Sequence, residues 1–246
     1  MLRAMVATAR QCGITPVVTD KYSGRSEWLM SWGLGHPQRR VWTNAHREKG
    51  GTVIGWDLGY WDLKASMRVT INADHPHALM RDMPGDRWAR AGIKLRDTYD
   101  PDGHILLIGL GVKSRAQFGY KGHDWELSAL RRIEEYYPGA TVFYKPKQPE
   151  SFPCQQFDGS IEGALQSCSL VVCRHSNVSV DACIANVPAV CIDGAGYALY
   201  NNNMVMPRRP SEQDRLRFLQ NLAYWQYRPS ESKKAWAFIK DSIKCG

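Results

Sequence analysis

The sequence predicts an α/β chain of two domains, each a parallel sheet covered by helices, with a cleft between them. Three observations carry that expectation. Short apolar or β-branched segments alternate with helical stretches along the whole chain, the pattern of β-α-β units. The alternation runs twice, over residues 1–98 and 99–246, and the turn-rich string Asp97-Thr-Tyr-Asp-Pro-Asp-Gly103 links the two series. The length of 246 residues, 43% of them hydrophobic, is enough for two cores of ordinary domain size.

The elements follow in order. Ala4–Ala9 and Thr15–Thr19 are short apolar segments. Glu27–Trp32 is a strand ending in the Gly33-Leu34-Gly35 turn, and Pro37 suits the first turn of a helix that runs to Lys49 and stops at Gly50-Gly51. Thr52–Trp56 is a buried strand that delivers Asp57, Met67–Ile71 is another strand, and residues 76–91 read as a helix broken at Pro84-Gly85. In the second series His104–Ile108, Ala140–Tyr144, Ser169–Cys173 and Pro188–Ile192 are strands. The helices are Trp125–Tyr137, Ser160–Ser167, Asn177–Ala185, 211–223 and 230–242, the last two with Ser211 and Ser230 as N-caps. Such a pattern describes two Rossmann-like domains. Ligands of open parallel sheets bind beyond the C-terminal strand ends.

Composition excludes several classes. No apolar run reaches the ~18–20 residues of a membrane helix, and the opening MLRAMVATARQCG has no long apolar core of a signal peptide. Seven cysteines without a CxxC pair read as small buried hydrophobes of a reducing compartment, the cytoplasm, rather than as a zinc site or a disulfide framework. There is no GxSxG elbow and no GxxxxGK[ST] loop. The net charge of +8 favours an anionic partner: nucleic acid, a phosphorylated metabolite or an anionic surface.

The segment 160–200 carries the strongest chemical signal. The strand Ser169–Cys173 runs into Arg174, His175, Ser176 and Asn177, and a helix opens directly after them. The first amides and positive end of such a helix attract an anion. Ser176, Asn177 and Ser179 add side-chain donors and Arg174 adds charge, while Asp181 is placed to accept hydrogen bonds from ribose hydroxyls. The same residues also read as an ordinary N-cap with a helix-start acid. Gly109-Leu-Gly111 with Lys113 and Arg115 forms a second phosphate-sized constellation after a strand, and Tyr144-Lys145-Pro146-Lys147 a third. Asp193-Gly194-Ala195-Gly196 would let a ligand pass closely.

In the first series, Asp57 and Asp62 lie among glycines and aromatics in GWDLGYWD. A carboxylate in an aromatic wall could act as a general base. Trp32, Trp56, Tyr60 and Trp61 would form that wall, a stacking surface for a sugar or a base, or else simply core. Asp74-His75-Pro76-His77 reads first as a helix cap at Asp74 and second as a His–Asp dyad.

The succession of helix, Ser-Leu-Val-Val strand, Ser176-Asn177 loop, Asp181-Ala182 helix and Val187-Pro188-Ala189-Val190 strand resembles the nucleotide-sugar half of GT-B glycosyltransferases. The resemblance covers residues 104–200 and extends to the N-terminal half by architecture only. It implies a GT-B-like pair of Rossmann-like domains. An acceptor domain would span 1–98 and a donor domain 99–246, the latter with two closing helices. It further implies that the Ser176 loop and helix start hold the donor diphosphate and that Asp181 binds the donor ribose. Two positions depart from the pattern: Cys173 stands where many retaining members carry glutamate, and Asn186 where glycine is usual.

The implied co-substrate is a nucleotide-diphosphate sugar, a UDP-sugar such as UDP-glucose first, with no metal. Helix amides and Arg/Lys would then stabilise the leaving diphosphate. Short length, basicity and tryptophan content further resemble compact virus-encoded transferases that act on hydroxymethylated pyrimidines in DNA. That points to a bacteriophage enzyme of DNA modification working in the host cytoplasm. A carbohydrate or lipid-linked acceptor, a non-catalytic nucleic-acid-binding protein and an epimerase on the same scaffold stay open beside it.

Overall fold

The computed structural model describes residues 1–63, 65–76 and 80–244. Its elements are α1 Leu2–Ala9, β1 Trp28–Trp32, α2 Pro37–Glu48, β2 Thr52–Leu58, β3 Met67–Ile71, α3 Asp86–Ala91, β4 Tyr99–Ile108 and α4 Val112–Phe118. They continue with α5 Asp124–Tyr136, β5 Val142–Lys145, α6 Ile161–Ala164, β6 Cys168–Cys173, α7 Val178–Ala185, β7 Ala189–Cys191, α8 Glu212–Tyr224, β8 Gln226–Tyr227 and α9 Ser232–Lys244. Among the described residues no helix is long and apolar enough to cross a membrane.

Residues 88–219 form one unit. Its sheet has the order β5-β4-β6-β7 with every neighbouring pair parallel, as the alternation predicts. β4 and β6 supply Ile105, Leu107, Leu170 and Val172 to the core, each at most 2% exposed, and α5 covers them with Trp125, Ala129 and Ile133 at four-residue spacing. α7 is buried almost all round, because it packs as a central helix. It ends on Asn186, whose φ of 64° is left-handed. Asparagine is the non-glycine residue that tolerates this conformation best, so the departure from glycine costs little here.

The unit formed by residues 1–87 and 220–246 corrects two expectations. Its sheet, β1-β2-β3-β8, is mixed: β1 and β2 are parallel, whereas β3 runs antiparallel to both β2 and β8. Only residues 59–66 separate β2 from β3. A parallel crossover needs about a dozen residues or more, so this connection can only turn back. The division of the chain also differs from 1–98 and 99–246. The C-terminal segment belongs to the first unit, because β8 extends its sheet and α9 packs on α1, with the Trp236 indole donating to the Met5 carbonyl at 2.9 Å.

The expected linker 97–103 lies mostly inside β4. The Arg96 and Thr98 amides donate to the Ile184 and Ala185 carbonyls, and the register slips between Tyr99 and Ile105. Pro101 to Gly103 therefore mark an irregular strand rather than a boundary. A Cβ on Gly103 would come within 2.0 Å of the Ser167 carbonyl oxygen, which explains the glycine. Ala4–Ala9 belongs to a helix, as its Leu, Arg, Met and Ala content favours, and Met5 and Ala9 bury one face of it. The helical reading of 76–91 survives only as α3, and positions 77–79, with His77 of the Asp74–His77 string, fall outside the described residues, as does Cys245.

Candidate functional site

From β4 the chain passes to β5 on one side and then reaches β6 on the other. The loops beyond the C-terminal ends of β4 and β6 therefore flank the point where the winding reverses, the place where open α/β sheets hold ligands. Those loops are Gly109–Gly111 and Arg174–Asn177. A hydrogen bond ties them: Ser114 Oγ, in the first turn of α4, lies 3.0 Å from His175 Nε2.

Each polar residue of the second loop has a defined partner. Arg174 pairs with Asp193 at 3.1 Å, donates to the Tyr120 hydroxyl at 3.1 Å and stacks on Phe118 at 4.0 Å. The His175 ring meets Phe118 edge-on at 5.1 Å. Ser176 Oγ accepts from the Val178 amide at 3.3 Å, and the Asn177 carbonyl accepts from Val180 at 2.8 Å to start α7. Ser179 is fully buried. It donates to the Ser176 carbonyl at 2.8 Å and accepts from the Gly196 amide at 3.1 Å, so it fastens the 193–196 turn instead of facing a ligand. A Cβ on Gly194 would sit 2.8 Å from the His175 backbone and one on Gly196 2.5 Å from Ser179 Cβ. The two glycines serve close packing of that turn.

In the first loop a Cβ on Gly109 would lie 2.3 Å from the Tyr144 hydroxyl, and the Gly111 carbonyl accepts from Ser114 at 2.9 Å and Arg115 at 3.0 Å. Lys113 is exposed in the first turn of α4. Asp181, in the first turn of α7, is partly buried. Burial raises its carboxyl pKa to about 7, with Glu162 pushing the same way and Arg96 opposing.

Two expected donor contacts have other duties. Arg115 is buried between two carboxylates, Glu126 at 2.7 Å and Glu150 at 2.8 Å, and also donates to His123 Nδ1 at 3.0 Å. Glu126 further accepts from the Leu110 amide at 2.9 Å, and Glu150 from the Tyr144 hydroxyl. The guanidinium therefore ties α4, α5 and the loop after β5 together through carboxylates of the protein itself. His123, Glu126 and Glu150 could present three ligand atoms to a metal ion, but Arg115 already stands among them as their cation. Lys145 donates to the Phe157 carbonyl at 3.0 Å and to that of Gly159, which pins the loop after β5.

The first-unit residues separate into core and surface. Trp56 is wholly buried and Tyr60 is 3% exposed, so neither can stack a ligand face. Among the described residues neither the Trp56 indole N–H nor the Tyr60 hydroxyl has a hydrogen-bond partner, and burial raises the Tyr60 pKa. Trp32 and Trp61 stay half-buried. Asp57 lies outside the apolar wall expected for it. Its side chain is 42% exposed, paired with Arg68 at 3.3 Å and bonded to the Leu58 amide at 2.8 Å. Arg68 also lies over the Tyr60 ring at 5.8 Å, so Asp57, Arg68 and Tyr60 form one cluster. Asp62 is separate. It closes a turn in the left-handed region, with φ 53°, and pairs with Arg228 at 2.8 Å.

Sequence reasoning singled out neither Ser114, Asp193 and Phe118 as partners of the second loop nor Arg68 as partner of Asp57. Glu126 left a signal: a charged residue among the apolar positions Trp125, Ala129, Leu130 and Ile133 of one helix. Buried charges of that kind are nearly always paired.

No protein-family model matches the chain, and no curated protein sequence matches it. Solved structures do. The β-Kdo 2,7 transferase KpsC of Thermosulfurimonas dismutans is similar over 98% of this chain and 97% of its own, with a TM-score of 0.54 and 17% identity. The β-Kdo 2,4 transferase KpsC of the same organism is similar over 87% of this chain and 86% of its own, with a TM-score of 0.51 and 13% identity. At these identities the likeness is one of fold, and it spans elements of both units.

Proposed function

We propose that the protein is a glycosyltransferase that moves a sugar from a nucleotide-sugar donor to a hydroxyl of a carbohydrate acceptor. The observation that carries this reading is the pair of loops at the β4/β6 reversal, closed by Ser114 and His175 beside the start of α7, in a fold similar to two Kdo transferases. The donor phosphate would lie against the first turn of α7, with Lys113 as the exposed cation of the facing loop and Ser176 and Asn177 beside it. Asp181 would accept the ribose hydroxyls. As the anomeric carbon–oxygen bond to phosphate breaks, the helix end and Lys113 stabilise the charge left on the phosphate. Asp57 would take the acceptor proton while the acceptor oxygen bonds to the anomeric carbon.

The net charge of +8 favours a second acceptor, hydroxymethylpyrimidine DNA. The burial of Trp56 and Tyr60 weighs against it, because a flipped base needs an exposed aromatic face. One experiment separates these readings. The protein is incubated with a panel of nucleotide sugars and either oligosaccharides or hydroxymethylpyrimidine DNA, and release of free nucleotide and mass gain of the acceptor are followed. Release with an oligosaccharide is the expected result. Lys113→Ala should weaken donor affinity about tenfold, the loss of one charge-assisted contact, while Asp57→Asn should cut turnover 10²–10⁴-fold or so with donor affinity kept. A mass gain on DNA alone would shift the acceptor, and no donor affinity at all would overturn the transferase reading.

A further inference from the structure

The second unit holds a cavity of about 440 Å³ lined by the end of α7, the Leu95–Asp97 strand approach and the start of α8. It is lined neither by the Gly109–Gly111 loop nor by the Arg174–Asn177 loop. Three guanidinium-bearing residues, Arg96, Arg209 and Arg215, contribute to its wall. α8 is 13 residues long, and its first residue, Glu212, lines the cavity with Pro210 and the capping Ser211, whose Oγ accepts from the Asp214 amide at 3.1 Å. The positive end of a long helix thus faces the same space as the arginines.

A second observation points to a ligand. Arg215 is only 4% exposed, and Nη1 donates to the Cys183 carbonyl at 3.1 Å and to the Arg96 carbonyl at 3.4 Å. Its Nε is buried and has no hydrogen-bond partner among the described residues. An unmade hydrogen bond on a buried guanidinium is costly. Two acids share the wall. Asp97 is already engaged by the Asn186 amide at 2.9 Å and by Arg209 at 3.5 Å, and Glu212 is exposed. Arg96 pairs outward with Glu162. Arg209 pairs loosely with Asp97 and stacks on the Tyr99 ring at 4.1 Å, and its side chain is 45% exposed, within reach of an incoming anion.

We propose that this cavity is a site for a small tetrahedral oxyanion, a phosphate group, gripped by Arg215 and Arg209 and by the start of α8. It stands whether or not the transferase reading does, because it shares no residue with the donor loops. The probe is inorganic phosphate, titrated into the full chain by calorimetry in a chloride buffer, with nitrogen–proton spectra of the same samples. One binding event is expected, with shifts at Ser211 to Asp214 and at the Arg215 Nε–H, persisting in Lys113→Ala and weakened at least fivefold in Arg209→Ala, an exposed position that should not disturb folding. Arg215→Lys, which keeps the charge and loses the planar fork, should abolish those shifts while its circular dichroism stays that of the parent. Absence of binding overturns the proposal. So does binding that vanishes in Lys113→Ala and is untouched by Arg209→Ala, because the phosphate would then lie at the donor loops.

Discussion

Asp181 shows most clearly how one residue's surroundings decide its chemistry. Burial in α7 lifts its pKa from an ordinary carboxylic value to about 7. The folded protein therefore holds a proton that the unfolded chain releases near pH 4, and stability falls as pH rises from about 4 to about 7. Asp181→Asn removes that liability. The variant should be more stable than the parent at pH 8, by up to about 4 kcal/mol for a shift of this size, and indistinguishable near pH 4. Urea melts at the two values check it, and an equal effect at both would refute the burial account. If Asp181 also holds the ribose, donor affinity of the parent should climb as pH passes 7 while the variant stays flat and weak. Residue type and spacing single out Asp181 in the sequence, but its burial and raised pKa come from packing. Nothing in the sequence, by contrast, told Ser179, which faces the buried Gly196 turn, from Ser176 three residues earlier at the helix start. Both are serines within one four-residue string, and only packing separates them.

At the scale of elements, strands were legible where composition and connection length agree. His104–Ile108 and Ser169–Cys173 are uninterrupted apolar runs flanked by helices, and both are central strands of a parallel sheet. Met67–Ile71 was legible as a strand but its direction lay in the short 59–66 connection, and the β8 pairing joins residues far apart in sequence. The α4–α5 tie is the element-scale feature that sequence pattern missed, because a basic residue after a glycine loop looks like a phosphate ligand until its carboxylate partners are known. Arg115 holds α4, α5 and the loop after β5 together through Glu126 and Glu150. Arg115→Ala leaves two carboxylates buried and unpaired, and it should cost roughly 3–5 kcal/mol, the usual penalty for breaking a buried pair from one side. Were Arg115 instead a donor ligand, the variant would melt like the parent and lose only nucleotide affinity. Thermal melts beside a nucleotide titration distinguish the two outcomes.

Over the whole molecule, the two units differ in how they use the chain. Residues 88–219 form a contiguous unit with its own parallel sheet and core, whereas the other unit is closed by the C-terminal segment. The sequence split at 98 followed Pro and Gly, and those residues mark local backbone irregularity whether or not a boundary is near. Removing residues 220–246 takes away β8 and α9 together with the buried Trp225, Trp236 and Ile239. It also strips the Trp28 ring of its stacking partner at 6.5 Å and α1 of its helical neighbour. Each large core side chain contributes about 1.5–3 kcal/mol, so the loss exceeds the few kcal/mol by which such a unit is stable. A chain ending at Leu219 should therefore keep amide-exchange protection in β4, β5, β6 and β7 and lose it in β1, β2 and β3. Protection surviving in both sheets would mean that the first unit closes without the C-terminal segment. Loss in both would mean that the second unit does not stand on its own core.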